Sequence, residues 1–206
     1  MANTFAPYGF RFIGINGAAA PNYAPTQRRI AQGNTTQIFR GDPVVQLNTG
    51  YITQATAGAT QIAGIFDYCE YFSVSQQRTV RSNYWPANGD AAADVAAFVI
   101  DAPGATFQVV SGNGGPVVLA DVGQNVNFAL GAGNTTTGIS GAYADFATIN
   151  TTNTLPFRIY NFAGNTGYVV GDGAPQIIGN GSDGTTPYNT VYVTFNNQDY
   201  KVLTGI

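Results

Sequence analysis

From Thr35 onward apolar and polar residues alternate in short runs, and the runs are broken by clusters of Gly, Asn, Asp and Pro. A period of two places successive side chains on opposite faces, so each run reads as a half-buried strand. Val44–Leu47 and Tyr51–Gln54 flank Asn48-Thr49-Gly50 and predict a hairpin, with glycine in the left-handed position such a loop needs. Ile62–Ser75 is apolar and aromatic and predicts one or two core strands. Arg78–Arg81 alternates up to Trp85-Pro86. Asp94–Ile100 is alanine-rich enough for a helix, but Val95, Phe98, Val99 and Ile100 tilt it to strand. Ala102-Pro103-Gly104-Ala105 carries Pro then Gly at its centre, a type II turn signature, across which Thr106–Val110 is expected to pair back. Asn125–Leu130 alternates, residues 131–154 read as polar and interrupted, and Leu155–Phe162 holds another run. Val191–Phe195 and Tyr200–Leu203 flank Asn196–Asp199 as a second hairpin candidate. Turn signals at intervals of roughly 8–12 residues predict an all-β fold, a sandwich or barrel. No repeat of roughly 20–50 residues supports a solenoid.

Residues 1–30 differ from the rest. Pro7, Pro21 and Pro25 oppose helix, and Phe5, Tyr8, Phe10, Phe12 and Tyr23 give an extended segment aromatic side chains that need burial somewhere. Folding back on the chain's own domain and reaching to a neighbour both satisfy them. The domain reading is an N-terminal arm over 1–30 and a β-rich domain over 31–206, with a candidate subdivision at 86–93.

Composition sharpens this. Only 9% of the 206 residues are charged, well below the usual ~25%, while 13 Phe, 12 Tyr and Trp85 rule out a disordered composition. A neutral surface rich in Asn, Thr and Gln carries little charge repulsion between copies and suits life in an assembly. The net charge of −3 gives a nucleic-acid role no electrostatic support. The charge is uneven, +3 over residues 1–88 and −6 over 89–206, which could orient the chain on an acidic surface. Met1–Pro7 has neither a basic start nor an apolar run, and no stretch approaches the ~18 apolar residues of a membrane span. Synthesis in a cytoplasm, with no membrane partner, is the expectation.

Catalytic chemistry has little to draw on. The chain has no His and one Cys, which removes Ser-His-Asp and Cys-His arrangements and, within one chain, disulfides and all-Cys zinc sites. A pair of carboxylates, as in glycosidases, would need Asp67 with Glu70 or two of the Asp residues, most of which sit at turns. Gly171-Asp172-Gly173 and Gly179–Gly184 lack the Lys-Ser/Thr of a phosphate loop and the spaced acids of an EF-hand. Arg40-Gly41-Asp42 reads as a turn, and Cys69 as a small strand residue. Trp85-Pro86 is either a structural plug or an anchor for a partner. Neither an enzyme active site, a cofactor site nor a metal site is expected.

Residues 40–86 resemble capsid decoration (cement) proteins of tailed bacteriophages. The resemblance lies in Gly41-Asp42-Pro43-Val44-Val45, Gly50-Tyr51-Ile52, Ala57-Gly58-Ala59, Ile62-Ala63-Gly64-Ile65-Phe66 and Tyr84-Trp85-Pro86. Asp94–Phe107, Val122–Asn125, Thr135–Gly141 and Leu155–Ile159 are similar too, and Phe5–Phe10 looks like the family's short N-terminal arm. Gly123-Gln124 stands where the pattern has Gly-Asp, and residues 163–190 match nothing in it. The resemblance implies a jelly-roll-like β-sandwich or barrel on the outer capsid surface, working as a dimer or trimer and bridging capsomers of the major capsid protein. On that reading Phe5, Tyr8, Phe10, Phe12 and Trp85 are apolar anchors, and Arg11, Arg28, Arg29 and Arg40 supply charge pairs. Deleting residues 1–30 is then expected to abolish capsid binding and leave a folded core. The alternative is a phage tail, fibre or baseplate component, which would use exposed aromatics around Tyr84-Trp85.

Overall fold

The computed structural model describes residues 3–16, 23, 25–162, 167–171, 174–178 and 187–202, with the backbone alone at 162, 167–171 and 174–178. The fold is all-β. Its strands are β1 (Arg11–Ile15), β2 (Thr26–Ile30), β3 (Ile38–Phe39), β4 (Pro43–Gln46), β5 (Ile52–Gln54), β6 (Gly64–Ser73), β7 (Arg78–Ser82) and β8 (Tyr84–Trp85). They continue as β9 (Val95–Ile100), β10 (Ala105–Gly112), β11 (Asn125–Ala129), β12 (Tyr143–Asn150), β13 (Phe157–Phe162), β14 (Gly167–Gly171), β15 (Ala174–Ile178) and β16 (Thr190–Phe195). One short 3₁₀ turn covers Leu119–Asp121.

The second half of the chain closes on itself. β10 pairs antiparallel with β16, β16 with β13, β13 with β11 and β11 with β12, and β12 returns to the far end of β10 in parallel. These five strands form a ring, and a ring has no free lateral edge. The two-residue period decides what fills it. Phe107 and Val109, Val126 and Phe128, Ala144 and Phe146, Phe157 and Ile159, and Val191, Val193 and Phe195 all join one buried cluster. Phe107, Phe157 and Phe195 pack ring against ring, with centroids 5.0 and 5.9 Å from Phe195. β1 adds to β10 on the side opposite β16.

The first half forms a second sheet in the order β2-β9-β6-β4-β5, with β7 beside the far end of β6. It curls, so that Arg28 on β2 reaches Gln46 on β4 and Asn34, just past β2, lies 3.4 Å from Thr53 on β5. Its core gathers Ile30, Val44, Ile52, Phe66, Cys69, Val95, Ala97 and Val99 around Trp85. The short β3–β8 pair brings Trp85 in. Its indole N–H donates to the Asn34 carbonyl at 3.1 Å, and Tyr71 meets it edge to face. Trp85 is 0% exposed, so it is the plug and offers no surface to a partner in this fold.

Several expectations hold and several change. Val44↔Gln54, Val45↔Thr53 and Gln46↔Ile52 form the expected hairpin, with Gly50 at φ +86°. Ile62–Ser75 yields one ten-residue strand. Ala105 N–H does close a turn on the Ala102 carbonyl at 2.8 Å, but Gly104 is not among the residues with positive φ, so the turn is not type II. Thr106–Val110 therefore does not pair back on β9; the chain leaves one sheet for the other here. The change of sheet falls at 101–104 rather than at 86–93. The C-terminal hairpin does not form within the described residues: β16 is claimed on both edges by β10 and β13, and residues 199–201 turn. The arm also changes character. Phe10 is 2% exposed and stacks on Phe157 at 4.3 Å, β1 is ladder-bonded to β10, and β2 to β9. Phe10 is thus buried by folding back on the chain's own domain, while Phe5 and Tyr23 stay exposed. Asp183, in the glycine-rich stretch, lies outside the described residues.

The two sheets are stitched together by backbone. Phe10 N–H donates to the Gly41 carbonyl (3.0 Å), Gly41 N–H to Phe66 (2.8 Å) and Gly9 N–H to Ala142 (3.1 Å). The loop before β12 returns the contact, with Arg40 N–H on the Gly138 carbonyl and Ser140 N–H on the Arg40 carbonyl, both at 2.9 Å. Asp42 sits beneath this seam, 2% exposed, accepting from Phe39 N–H, Gln54 Nε2 and the Ser140 hydroxyl. A second stitch is Gln198, whose amide donates to the Ala63 and Asp101 carbonyls at 3.0 Å each.

Candidate functional site

Beside the first seam lies a cleft of about 550 Å³ between the N-terminal segment and the curled sheet. Tyr8, Phe10, Arg11, Phe12 and Tyr23 form one side; Arg40, Phe66, Asp67, Asn83, Thr137 and Ile139 are among the residues on the other. The volume falls in the range of ligand pockets.

Two irregularities in the ladders build it. The register of β6 against β9 shifts between Phe66 and Tyr68, which makes Asp67 a bulged residue. Before the bulge Phe66 faces the Trp85 core and Ile65 the ring's core; after it Cys69 and Tyr71 face the Trp85 core. Even and odd positions exchange faces at the bulge, and Asp67, on the Ile65 side, is aimed into the cleft. The ladder of β1 with β10 shifts between Phe12 and Gly14, next to the cleft's opposite wall.

The central polar group is the Asp67 carboxylate, 4% exposed. Its Oδ1 accepts from Arg40 Nε at 2.9 Å, and its Oδ2 accepts from the Tyr23 hydroxyl. Burial is the larger influence on its titration and raises it to about 6, with the nearby Arg81 charge pulling the other way. Arg81 itself lies over the Tyr68 ring at 3.8 Å. Because Asp67 holds Arg40 by Nε, the two terminal amino groups of Arg40 have no acceptor among the described residues, and the side chain is 53% exposed. Arg11 is exposed and has no acidic partner among them either. Phe12 and Tyr23 stand with ring centroids 6.0 Å apart, Tyr23 half exposed.

The structure thus brings five of the nine sequence-derived interface residues, Tyr8, Phe10, Arg11, Phe12 and Arg40, to one place. The others lie apart. Phe5, 41% exposed, rests edge-on against Tyr143. Arg28 is consumed internally, 2.9 Å from Asp101 and with its guanidinium over Tyr200. Arg29 is exposed on β2, and Trp85 is inside a core. Sequence reasoning weighed Asp67 only as half of a carboxylate pair and missed Asn83, Thr137 and Ile139. A charge inside the apolar run Ile65-Phe66-Asp67-Tyr68 was the available signal, since buried charges are paired. Among the described residues Asp67 is the one carboxylate lining this cleft. Among the described residues no three His, Cys, Asp or Glu side chains gather as metal ligands. Cys69 is buried, and burial pushes its thiol up to about 12, which leaves it unreactive.

An all-β body of two cross-stitched sheets, with a mixed aromatic and cationic cleft at their seam, is the class of protein this architecture defines. No family model, curated protein or solved structure significantly matches the chain.

Proposed function

We propose that the protein is a structural virion component that binds the outer surface of a tailed-phage capsid and stabilises contacts between capsomers. The observation that carries this reading is the seam. A cement protein has to transmit tension between the subunits it bridges. Two β-sheets joined by backbone hydrogen bonds at 9–10, 40–41 and 138–142, rather than by a single linker, resist being pulled apart. The stretch Gly41–Val45, part of the family resemblance, runs through that seam. The low charge density supports dense packing of copies on a shell. Self-association as a dimer or trimer would add avidity across repeated sites. The tail or fibre alternative relied on exposed aromatics at Tyr84-Trp85; Trp85 is buried and Tyr84 is stacked on Phe39, so that support is absent.

Quantitative mass spectrometry of purified virions tests the reading. A copy number near a simple fraction of the major capsid protein is expected. A handful of copies would move the protein to the tail, and absence from particles would overturn the virion assignment.

A further inference from the structure

We propose that the cleft at the seam receives an acidic side chain from an extended segment of the shell protein, its carboxylate gripped by Arg11 and Arg40 and an adjacent apolar residue laid against Phe12 and Tyr23. This inference rests on the capsid reading and names the chemistry of its contact.

The argument starts from Arg40. A guanidinium has a planar fork of donors, and one held at Nε presents its terminal amino groups outward in a fixed direction. Asp67 holds Arg40 in this way, and the bulge fixes Asp67. The Arg40 side chain stays half exposed and its terminal groups have no acceptor among the described residues, while Arg11, beside Tyr8 and without an acidic partner among those residues, lines the same cleft. Two guanidinium groups against one carboxylate leave the cleft with a formal charge of +1. That matches a single anionic group, and the chain's net charge of −3 opposes a polyanion such as nucleic acid. Phe12 and half-exposed Tyr23 give the same cleft an apolar wall, so the matching ligand carries its charge beside apolar surface. A free inorganic anion would leave that wall uncovered. An acidic residue flanked by an apolar one satisfies both halves of the site. Aromatic and arginine side chains around a partly desolvated centre are also the residues that dominate protein interfaces.

The experiment measures binding of the full chain to purified shells that lack it. Arg11→Gln removes an exposed cation with no acidic partner among the described residues and should leave the fold intact. About tenfold weaker binding is expected from it, and at least as much from the double variant Arg40→Gln/Asp67→Asn, which avoids leaving Asp67 buried without its partner. Arg78→Gln, on the distant β6–β7 hairpin, should bind as the parent does. In parallel, N-acetyl-Asp-Phe-amide titrated into the isolated protein should shift the NMR signals of Phe12 and Tyr23, and N-acetyl-Asn-Phe-amide should not. Parent-like shell binding by Arg11→Gln and by the double variant would overturn the inference and leave the capsid reading standing. Equal response to the two peptides would overturn it as well. Self-association of the parent, abolished by Arg11→Gln without shells present, would assign the segment to a second copy and overturn the shell-protein partner. Failure of the parent chain to bind shells at all would instead overturn the capsid reading.

Discussion

Asp67 carries the clearest pH signature in the molecule. Its carboxyl titrates at about 6 in the fold because burial penalises the charged form, against an ordinary value of 3.8. A raised folded-state pKa means that the fold prefers the protonated acid. The stability this gives is fully present below the ordinary value and is lost as pH rises through about 6. Asp42 and Asp199 are raised by burial as well and act in the same direction. Asp90 and Asp94 are lowered by hydrogen bonds, from Ser73 and from Tyr51 respectively, and act in the opposite sense at more acidic pH. The melting temperature is therefore expected to rise as pH falls from 7 to 5, reversing the usual acid trend. Asp67→Asn should flatten this segment of the profile, which thermal unfolding at a series of pH values will read. Sequence made Asp67 conspicuous as a charge in an apolar run. It did not reveal the direction of the side chain, because that depends on a register shift against β9, which the alternation of β6 alone does not show. Trp85 stood open in the sequence between plug and anchor, because a lone Trp beside a proline suits both, and only its complete burial decides for the plug.

Most strands were legible from their own residues, but their pairings with distant strands were not. The β4–β5 hairpin follows from its own turn. β12 hid in the stretch read as polar because Ala144, Asp145, Ala147 and Asn150, all poor strand formers, interrupt the β-forming Tyr143, Phe146, Thr148 and Ile149. The Tyr200–Leu203 run resembled a partner for β16, but the ring had already occupied both of that strand's edges. The N-terminal segment teaches the same lesson and changes an expectation. Phe10 belongs to the ring's core and Ile30 to the Trp85 core, and β1 and β2 are ladder-bonded. Deleting residues 1–30 should therefore cost the protein its folded state, rather than leave a folded core that merely fails to bind. Phe10→Ala is expected to cost about 3–5 kcal/mol, the usual range for a fully buried Phe. Denaturant unfolding of both variants, with circular dichroism of the truncated chain, provides the check. A truncated chain that unfolds with parent-like cooperativity would restore the detachable arm.

At the scale of the molecule, the seam predicts that the two sheets melt together. Gly9 and Gly41 make the close approach possible. A Cβ on Gly41, whose φ is +94°, would sit 3.0 Å from the Phe10 nitrogen, and one on Gly9 2.8 Å from the Ser140 Cβ. Calorimetry of the parent chain should show one transition. Gly41→Ala should lower its temperature and separate it into two, because the substitution strains the stitch without touching either core. A single, unshifted transition in that variant would mean the sheets are coupled elsewhere, through Gln198.

The closed ring also has a consequence in time. Residues 26–100 contain all strands of the curled sheet, so that sheet can assemble while the rest of the chain is still being made. The ring cannot. β10 finds β16 only after Phe195 has left the ribosome, and until then β10 and β13 each present a raw edge to every other nascent copy nearby. Such distant pairings fold slowly. The interval between the synthesis of β10 and that of β16 is when copies are most prone to pair wrongly with one another, and a chaperone that shields β10 would act there.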